Sequence, residues 1–314
     1  MTNLRTAVIG LGAMGRHHAR IYASSADVEL VGVADLNSEL VSSVADTYDT
    51  RPFKDYKELL CLTPDVVSIA VPTSLHREVA LAAADAGSNV MIEKPISNTL
   101  HSGQEIIARC QQRGVNLMVG HVERFNPVSG VLKKSISGLD VISIDITRVG
   151  PFPPRIRDVG VVIDLAVHDI DILRYLTGSE FRTVRSLIGK NLAGDREDTA
   201  LLSFEMENGV LCHVTTNWVT PFKVREITVA AREKLIKGWL VEQKACEYER
   251  YQEDGSYIVR ELPVPYGEPL ELELSAFLDA IRNDEPPPVS GEDGLKALEI
   301  ALRCLEQGEK RVCS

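Results

Sequence analysis

Apolar residues recur along this chain in two rhythms. From the amino terminus to about residue 120, short apolar runs (6–9, 28–34, 66–71, 89–93 and 115–120) alternate with helix-periodic stretches at 16–24, 75–86 and 100–113. Alternation of that kind predicts a parallel sheet with right-handed crossovers, whose ligands lie at the carboxyl ends of the strands. Beyond residue 122 the pattern changes. A short helix is expected over 128–137 and an alternating strand over 141–149. Strand-like runs follow at 184–188, 199–204, 210–218, 227–231, 235–241 and 257–262, with Asn208-Gly209 as a hairpin signal. Two helices, 270–282 and 292–307, close the chain on either side of a triple proline.

The expected fold is therefore α/β. A Rossmann dinucleotide-binding domain over 1–122 is followed by an α+β domain over 123–314 with a large, open, mostly antiparallel sheet. One face of that sheet carries helices, and the other needs a cover. A partner subunit is the expected cover, giving a homo-dimer or homo-tetramer through the C-terminal sheet.

One stretch breaks the apolar pattern in an ordered way. In residues 161–178, Asp164, His168, Asp171 and Tyr175 fall at i, i+4, i+7 and i+11, a single stripe on an otherwise apolar helix. Buried carboxylates and an imidazole need partners or a ligand. The pattern alone fits either a satisfied polar network or the wall of a site.

The totals narrow the class. A length of 314 residues exceeds one ordinary domain, so two domains sharing a cleft are expected. A net charge of -11 argues against nucleic acid or an anionic membrane as the main partner, though a small anionic ligand could still meet a local basic loop. No apolar run reaches membrane-spanning length and no signal peptide is expected. The six cysteines are scattered, with no C-x-x-C pair, which suggests reduced thiols, no zinc site and a cytoplasmic protein.

The first apolar run leads into Gly10, Gly12 and Gly15, with Ala13 and Met14 between the last two. In a strand-to-helix context, these glycines serve a tight turn, close approach of the backbone to a pyrophosphate, and close helix packing. The helix amino terminus offers free N–H groups and a positive dipole end. Asp35, twenty positions after Gly15, ends the second run, where a carboxylate would bind ribose hydroxyls and disfavour a 2′-phosphate. NAD is therefore favoured over NADP. Further strand ends place Pro72, Thr73 and His76, then Glu93 and Lys94, then His121, along the same crevice. Pro95 biases Lys94 to an extended backbone at the sheet edge, where its charge could stabilise an alkoxide. Arg155 and Arg157 sit in a proline loop just before the striped helix and could grip a diphosphate or carboxylate.

Taken in order, G-x-G-x-M-G at Gly10 to Gly15, E-K-P at Glu93 to Pro95, E-R-F-N-P at Glu123 to Pro127 and D-x-x-x-H-D-x-D at Asp164 to Asp171 resemble the glucose-fructose oxidoreductase / inositol dehydrogenase (Gfo/Idh/MocA) family. The likeness spans nearly the whole chain. It implies NAD(P)-dependent oxidation of a hydroxyl on a sugar or cyclitol, with Lys94, Asp164 and His168 as the catalytic trio and Asp35 as the ribose-binding acid. Arg124 and Asn126, with Arg155 and Arg157, join the implied substrate set. Within the family, the stretches 120–127 and 149–172 resemble a subgroup acting on UDP-N-acetylglucosamine at C3, which makes a UDP-sugar the expected partner. An inositol or free-sugar dehydrogenase is the alternative, and a non-catalytic NAD-binding regulator is an alternative of another class. Ala166 stands where many relatives carry glycine. Asp171 and Tyr175 are expected to support and pack, and no metal site is expected.

Overall fold

A computed structural model describes residues 3–153, 159–191, 194 and 196–309. The chain divides into two compact units, Met1–His121 with Leu270–Lys296, and Val122–Pro269 with Ala297–Ser314.

In the first unit, strands and helices alternate as β1 (Leu4–Ile9), α1 (Ala13–Ser24), β2 (Val28–Ala34), α2 (Ser38–Tyr48), β3 (Pro52–Phe53), α3 (Tyr56–Leu60), β4 (Val66–Ile69), α4 (His76–Asp85), β5 (Asn89–Glu93), α5 (Leu100–Arg113) and β6 (Leu117–Gly120). The six strands form a parallel sheet in the order β3-β2-β1-β4-β5-β6, so the chain reverses direction across the sheet at β1/β4. In such sheets the ligand crevice opens at that reversal, beyond the carboxyl ends of the strands. The strands are buried on both faces, as Val66, Val67, Ile69, Val90 and Ile92 show.

The second unit holds α6 (Pro127–Ser135), β7 (Val141–Pro151), a π-helical turn at Val162–Ala166 running directly into α7 (Val167–Thr177), and β8 (Phe181–Gly189), β9 (Thr199–Met206), β10 (Leu211–Asn217), β11 (Val219–Ala231), β12 (Lys234–Trp239), β13 (Lys244–Glu249) and β14 (Ile258–Leu262). Its sheet runs β14-β13-β12-β11-β7-β10-β9-β8, antiparallel except between β7 and β10. Ile144, Ile146, Val214, Leu202, Ile227 and Val229 fill its inner face. Helix α6 approaches so closely that a Cβ added at Gly238 would meet Val128 at 2.6 Å. The opposite face carries exposed Leu187, Leu201 and Leu211.

Two helices close the chain, α8 (Pro269–Asn283) and α9 (Gly291–Glu309). The sequence gives 123–314 to one domain, but 270–296 belongs to the first unit. The reason is local packing. Val119 N–H donates to Val289 O, Gly291 and Gly294 lie against Leu117 and Val119, and Arg282 pairs with Asp27 at 2.6 Å. Strand β13 has no counterpart among the strand-like runs read from the sequence. Its sequence, KACEYE, has three charged residues among six and no β-branched residue, so propensity hides it.

Candidate active site

The glycine turn of the first unit has the geometry a dinucleotide needs. Gly10 adopts φ +91°, and a Cβ there would lie 2.6 Å from the Ala70 and Val71 backbone. Gly15 lets α1 pass so close to β1 that its Cβ would sit 1.8 Å from Gly10 O. Gly12, by contrast, meets nothing within 4 Å and caps α1 without any side-chain hydrogen bond. It is exposed, as is Ala13, while Met14 is half-exposed. Open space at a helix amino terminus with unclaimed N–H groups and no acidic side chain in its first turn fits a pyrophosphate.

Asp35, half-buried, accepts from Leu11 N–H at 2.7 Å and from Asn37 N–H at 2.9 Å, which ties the end of β2 to the glycine turn. Each carboxylate oxygen keeps a lone pair for a ribose hydroxyl. The site residues present therefore fit the dinucleotide.

The other strand ends differ in character. Pro72 is exposed and Thr73 half-exposed, as a crevice rim requires. Lys94 is half-buried and precedes a cis proline. His76, Glu93 and His121 are buried at 1%, 9% and 1% exposure, behind the rim rather than on it. Both ring nitrogens of His76 lie against backbone carbonyls, Pro95 O at 2.9 Å and Val71 O at 3.0 Å. It sits between two strand-end loops; burial lowers its pKa against the pull of those carbonyls and of Glu93, and the neutral ring donates its one N–H to one of the two carbonyls. Glu93 meets His18 Nε2 at 3.0 Å. Burial pushes the Glu93 carboxyl up, but His18, Lys94 and His76 outweigh it and hold it below the ordinary carboxylate range.

In the second unit, Asp164 lies on the π-turn and His168 on the first turn of α7. The expected single α-helical stripe is thus broken between them. A π-turn has wider spacing than an α-turn and recurs at functional sites. Asp164 is half-buried and His168 is 9% exposed. The start of this segment is capped by Glu197, whose backbone carbonyl takes Val161 N–H at 3.0 Å and whose Oε1 takes Val162 N–H at 3.2 Å. The Glu197 carboxyl packs directly over Gly160, 2.0 Å from where a Cβ there would lie, so a larger residue would push that carboxyl aside. Burial raises the pKa of Glu197.

A charged floor underlies α7. Arg148 Nε donates to Asp169 Oδ1 and its Nη1 to Glu123 Oε1, both at 2.6 Å, and Arg225 lies 3.8 Å from Glu123. Arg148 and Arg225 stand directly opposite on β7 and β11. Burial pushes Asp169 up to about 6 even beside Arg148, whereas the two arginines outweigh burial at Glu123 and lower its pKa. Sequence reasoning gave Arg148 and Asp169 no role. The signal was readable: Arg148 shares the inward parity of Ile144 and Ile146.

Two residues of the expected substrate set, Arg124 and Asn126, make scaffold contacts. Arg124 grips Asp171 through two bonds of 2.7 and 2.6 Å and lies over the Tyr175 ring. Asp171 and Tyr175 thus support and pack, as the sequence suggested. Asn126 is 5% exposed; its Oδ1 caps α6 at Val128 N–H and its Nδ2 donates to Leu240 O. That amide is thus engaged within the scaffold, by Val128, Leu240 and Glu123. Arg155 and Arg157 lie outside the described residues. Among the described residues no three His, Cys, Asp or Glu are grouped to hold a metal ion, and no helix is long and apolar enough to cross a membrane.

A parallel sheet with this glycine turn, followed by the large mixed sheet, is the architecture of an NAD-binding oxidoreductase. The chain belongs to the Gfo/Idh/MocA oxidoreductase family: residues 4–121 match its NAD-binding Rossmann fold and 141–236 its C-terminal domain. It is 31% identical over 311 residues to UDP-N-acetylglucosamine 3-dehydrogenase of Acidithiobacillus ferrooxidans, covering 96% of each chain. The solved structure of that enzyme matches with a TM-score of 0.91 at 30% identity, over 99% of each chain. Scyllo-inositol 2-dehydrogenase (NAD(+)) of Bacillus subtilis is 28% identical over 95% of this chain and 92% of its own. The protein is thus a member of a family of NAD-dependent sugar and polyol dehydrogenases.

Proposed function

We propose that the protein oxidises a ring hydroxyl of a sugar to a ketone, with the C3 hydroxyl of UDP-N-acetylglucosamine as its substrate. The observation that carries the reading is the Asp164/His168 pair, a carboxylate on a π-turn and an imidazole one turn on, over a fixed ionic floor. The 31% identity to the UDP-N-acetylglucosamine enzyme over almost the full chain supports the sugar assignment.

His168 removes the hydroxyl proton as general base, because an imidazole titrates near neutrality. Asp164 orients that hydroxyl or shares its proton. Lys94 places a positive charge beside the oxygen as it becomes an alkoxide. When bound at the glycine turn, NAD supplies the hydride acceptor. Gly10, Gly12, Ala13, Met14, Gly15, Asp35, Pro72 and Thr73 hold it, and Glu93, His76 and His121 support the crevice from behind. Arg155 and Arg157 grip the diphosphate. The exposed leucine-bearing sheet face pairs with a second copy to give a homo-oligomer.

NADH formation with a panel of UDP-sugars and cyclitols tests the reading, followed by product analysis to locate the oxidised carbon. Turnover on an inositol with none on UDP-sugars would favour the cyclitol reading, which the 28% identity to an inositol enzyme supports. NADH formation from none of them would leave a non-catalytic NAD-binding role.

A further inference from the structure

Helix α1 begins at the glycine turn and turns one stripe, Gly15, His18, Ala19, Ile21 and Tyr22, onto the sheet. Two members of that stripe are polar, and both are fully buried. Buried polar groups are costly unless satisfied, and these two are joined in one chain. Tyr22 OH lies 2.8 Å from Ser68 Oγ, Ser68 Oγ lies 3.0 Å from His18 Nδ1, and His18 Nε2 lies 3.0 Å from Glu93 Oε1.

The direction at the far end is fixed. Glu93 is held below the ordinary carboxylate range, so it only accepts, and His18 Nε2 must carry the hydrogen. The rest of the chain is closed to solvent, since Tyr22, Ser68 and His18 are each 0% exposed. It offers no exit for a proton. What it does is hold Glu93, whose carboxyl also packs against Gly120 on β6, where an added Cβ would lie 3.3 Å from Oε2.

Glu93 is the residue before Lys94. The residue after Lys94, Pro95, has its carbonyl 2.9 Å from the second buried histidine, His76. Each neighbour of Lys94 therefore lies against a different imidazole, one from α1 and one from α4. We infer that His18 and His76 are positioning residues that clamp the Glu93-Lys94-Pro95 corner, fixing the Lys94 ammonium where the reaction needs it. This rests on the reading of Lys94 as a catalytic group. Because α1 carries both the glycine turn and His18, the clamp also links the dinucleotide-binding turn to Lys94.

The test compares His18→Leu, which removes the donor to Glu93, with His18→Gln, whose amide can restore it. The measurements are NADH formation, NAD affinity by calorimetry, and competitive acetic-anhydride labelling of Lys94 in the NAD-free protein against exposed Lys244. Loss of a buried charge-assisted hydrogen bond corresponds to roughly tenfold or more. His18→Leu should lower kcat by about that factor and change the relative labelling of Lys94 by about threefold or more, with NAD affinity kept within about threefold. His18→Gln should recover most of both. Ser68→Ala, which breaks the chain behind the ring, should give a smaller change of the same sign and serves if His18→Leu does not fold. Unchanged Lys94 labelling and kcat in the folded variant would overturn the clamp. If the wild-type protein turned over no substrate while the variant still altered Lys94 labelling, the clamp would stand and the dehydrogenase reading would fall.

Discussion

Arg148 Nε donates to Asp169 Oδ1 at 2.6 Å with both side chains buried, so the residue after His168 anchors the start of α7 to the sheet beneath it. Such a pair is weak evidence for stability but strong evidence for a fixed position, because breaking it leaves an uncompensated buried charge.

The stability of this floor should depend on pH in a specific direction. Asp169 is pushed up to about 6 by burial, above its unfolded value near 3.8. Its contribution is therefore fully present below about pH 4 and is lost as pH rises through about 6. Relative to Asp169→Asn, the wild-type protein should gain stability on going from pH 7 to pH 4. Denaturant unfolding of both proteins at the two pH values checks this, and a difference that does not change with pH would contradict it.

Gly12 and Gly15 should fail in different ways when changed to alanine. At Gly12 the new methyl group enters open space, so Gly12→Ala should fold with nearly the wild-type melting temperature while losing about tenfold or more in NAD affinity. At Gly15 it would overlap Gly10 O, so Gly15→Ala should lower the melting temperature by several degrees as well. Scanning calorimetry and NAD titration separate the two outcomes.

Asp35 faces the adenosine ribose in the proposed complex and carries the negative charge that opposes a 2′-phosphate. Asp35→Ser should shift the ratio of kcat/KM for NAD over NADP downward by roughly tenfold, about the size of one partly screened like-charge contact. It should also loosen the glycine turn, since Leu11 N–H loses its acceptor. Steady-state kinetics with each cofactor gives the ratio directly.

Asp171 should matter for stability rather than chemistry. Its bidentate bond to Arg124 is nearly buried, with side-chain exposures of 1% and 11%. Removing one partner of such a pair costs about 3–5 kcal/mol. Asp171→Asn should therefore unfold at clearly lower denaturant while the folded fraction keeps a kcat within about threefold of wild type. A large loss of kcat without loss of stability would put Asp171 in the chemistry instead.

Much of this was legible in the sequence because periodicity and glycine spacing report local geometry. The strands 28–34 and 89–93 and the helix 100–113 agree with β2, β5 and α5 residue for residue. What stayed hidden depends on tertiary partners. The π-turn at 162–166 leaves no sequence signature, so Asp164 and His168 read as one α-helical stripe. Nothing local to Asn126 says that Leu240 will take its amide. His18 and Tyr22 are visible as polar residues on an apolar helix face, but their role needs Ser68 and Glu93, which lie 50 and 75 positions beyond His18. The return of 270–296 to the first unit is likewise set by contacts such as Val119 with Val289, which no local pattern encodes.

The most direct test of the central claim is NADH formation from UDP-N-acetylglucosamine by the wild-type protein beside Lys94→Ala and His168→Ala. The wild type should give NADH and a 3-keto product, and each variant should lose roughly a hundredfold or more in turnover with NAD affinity largely kept. Near-normal turnover in both variants would contradict it.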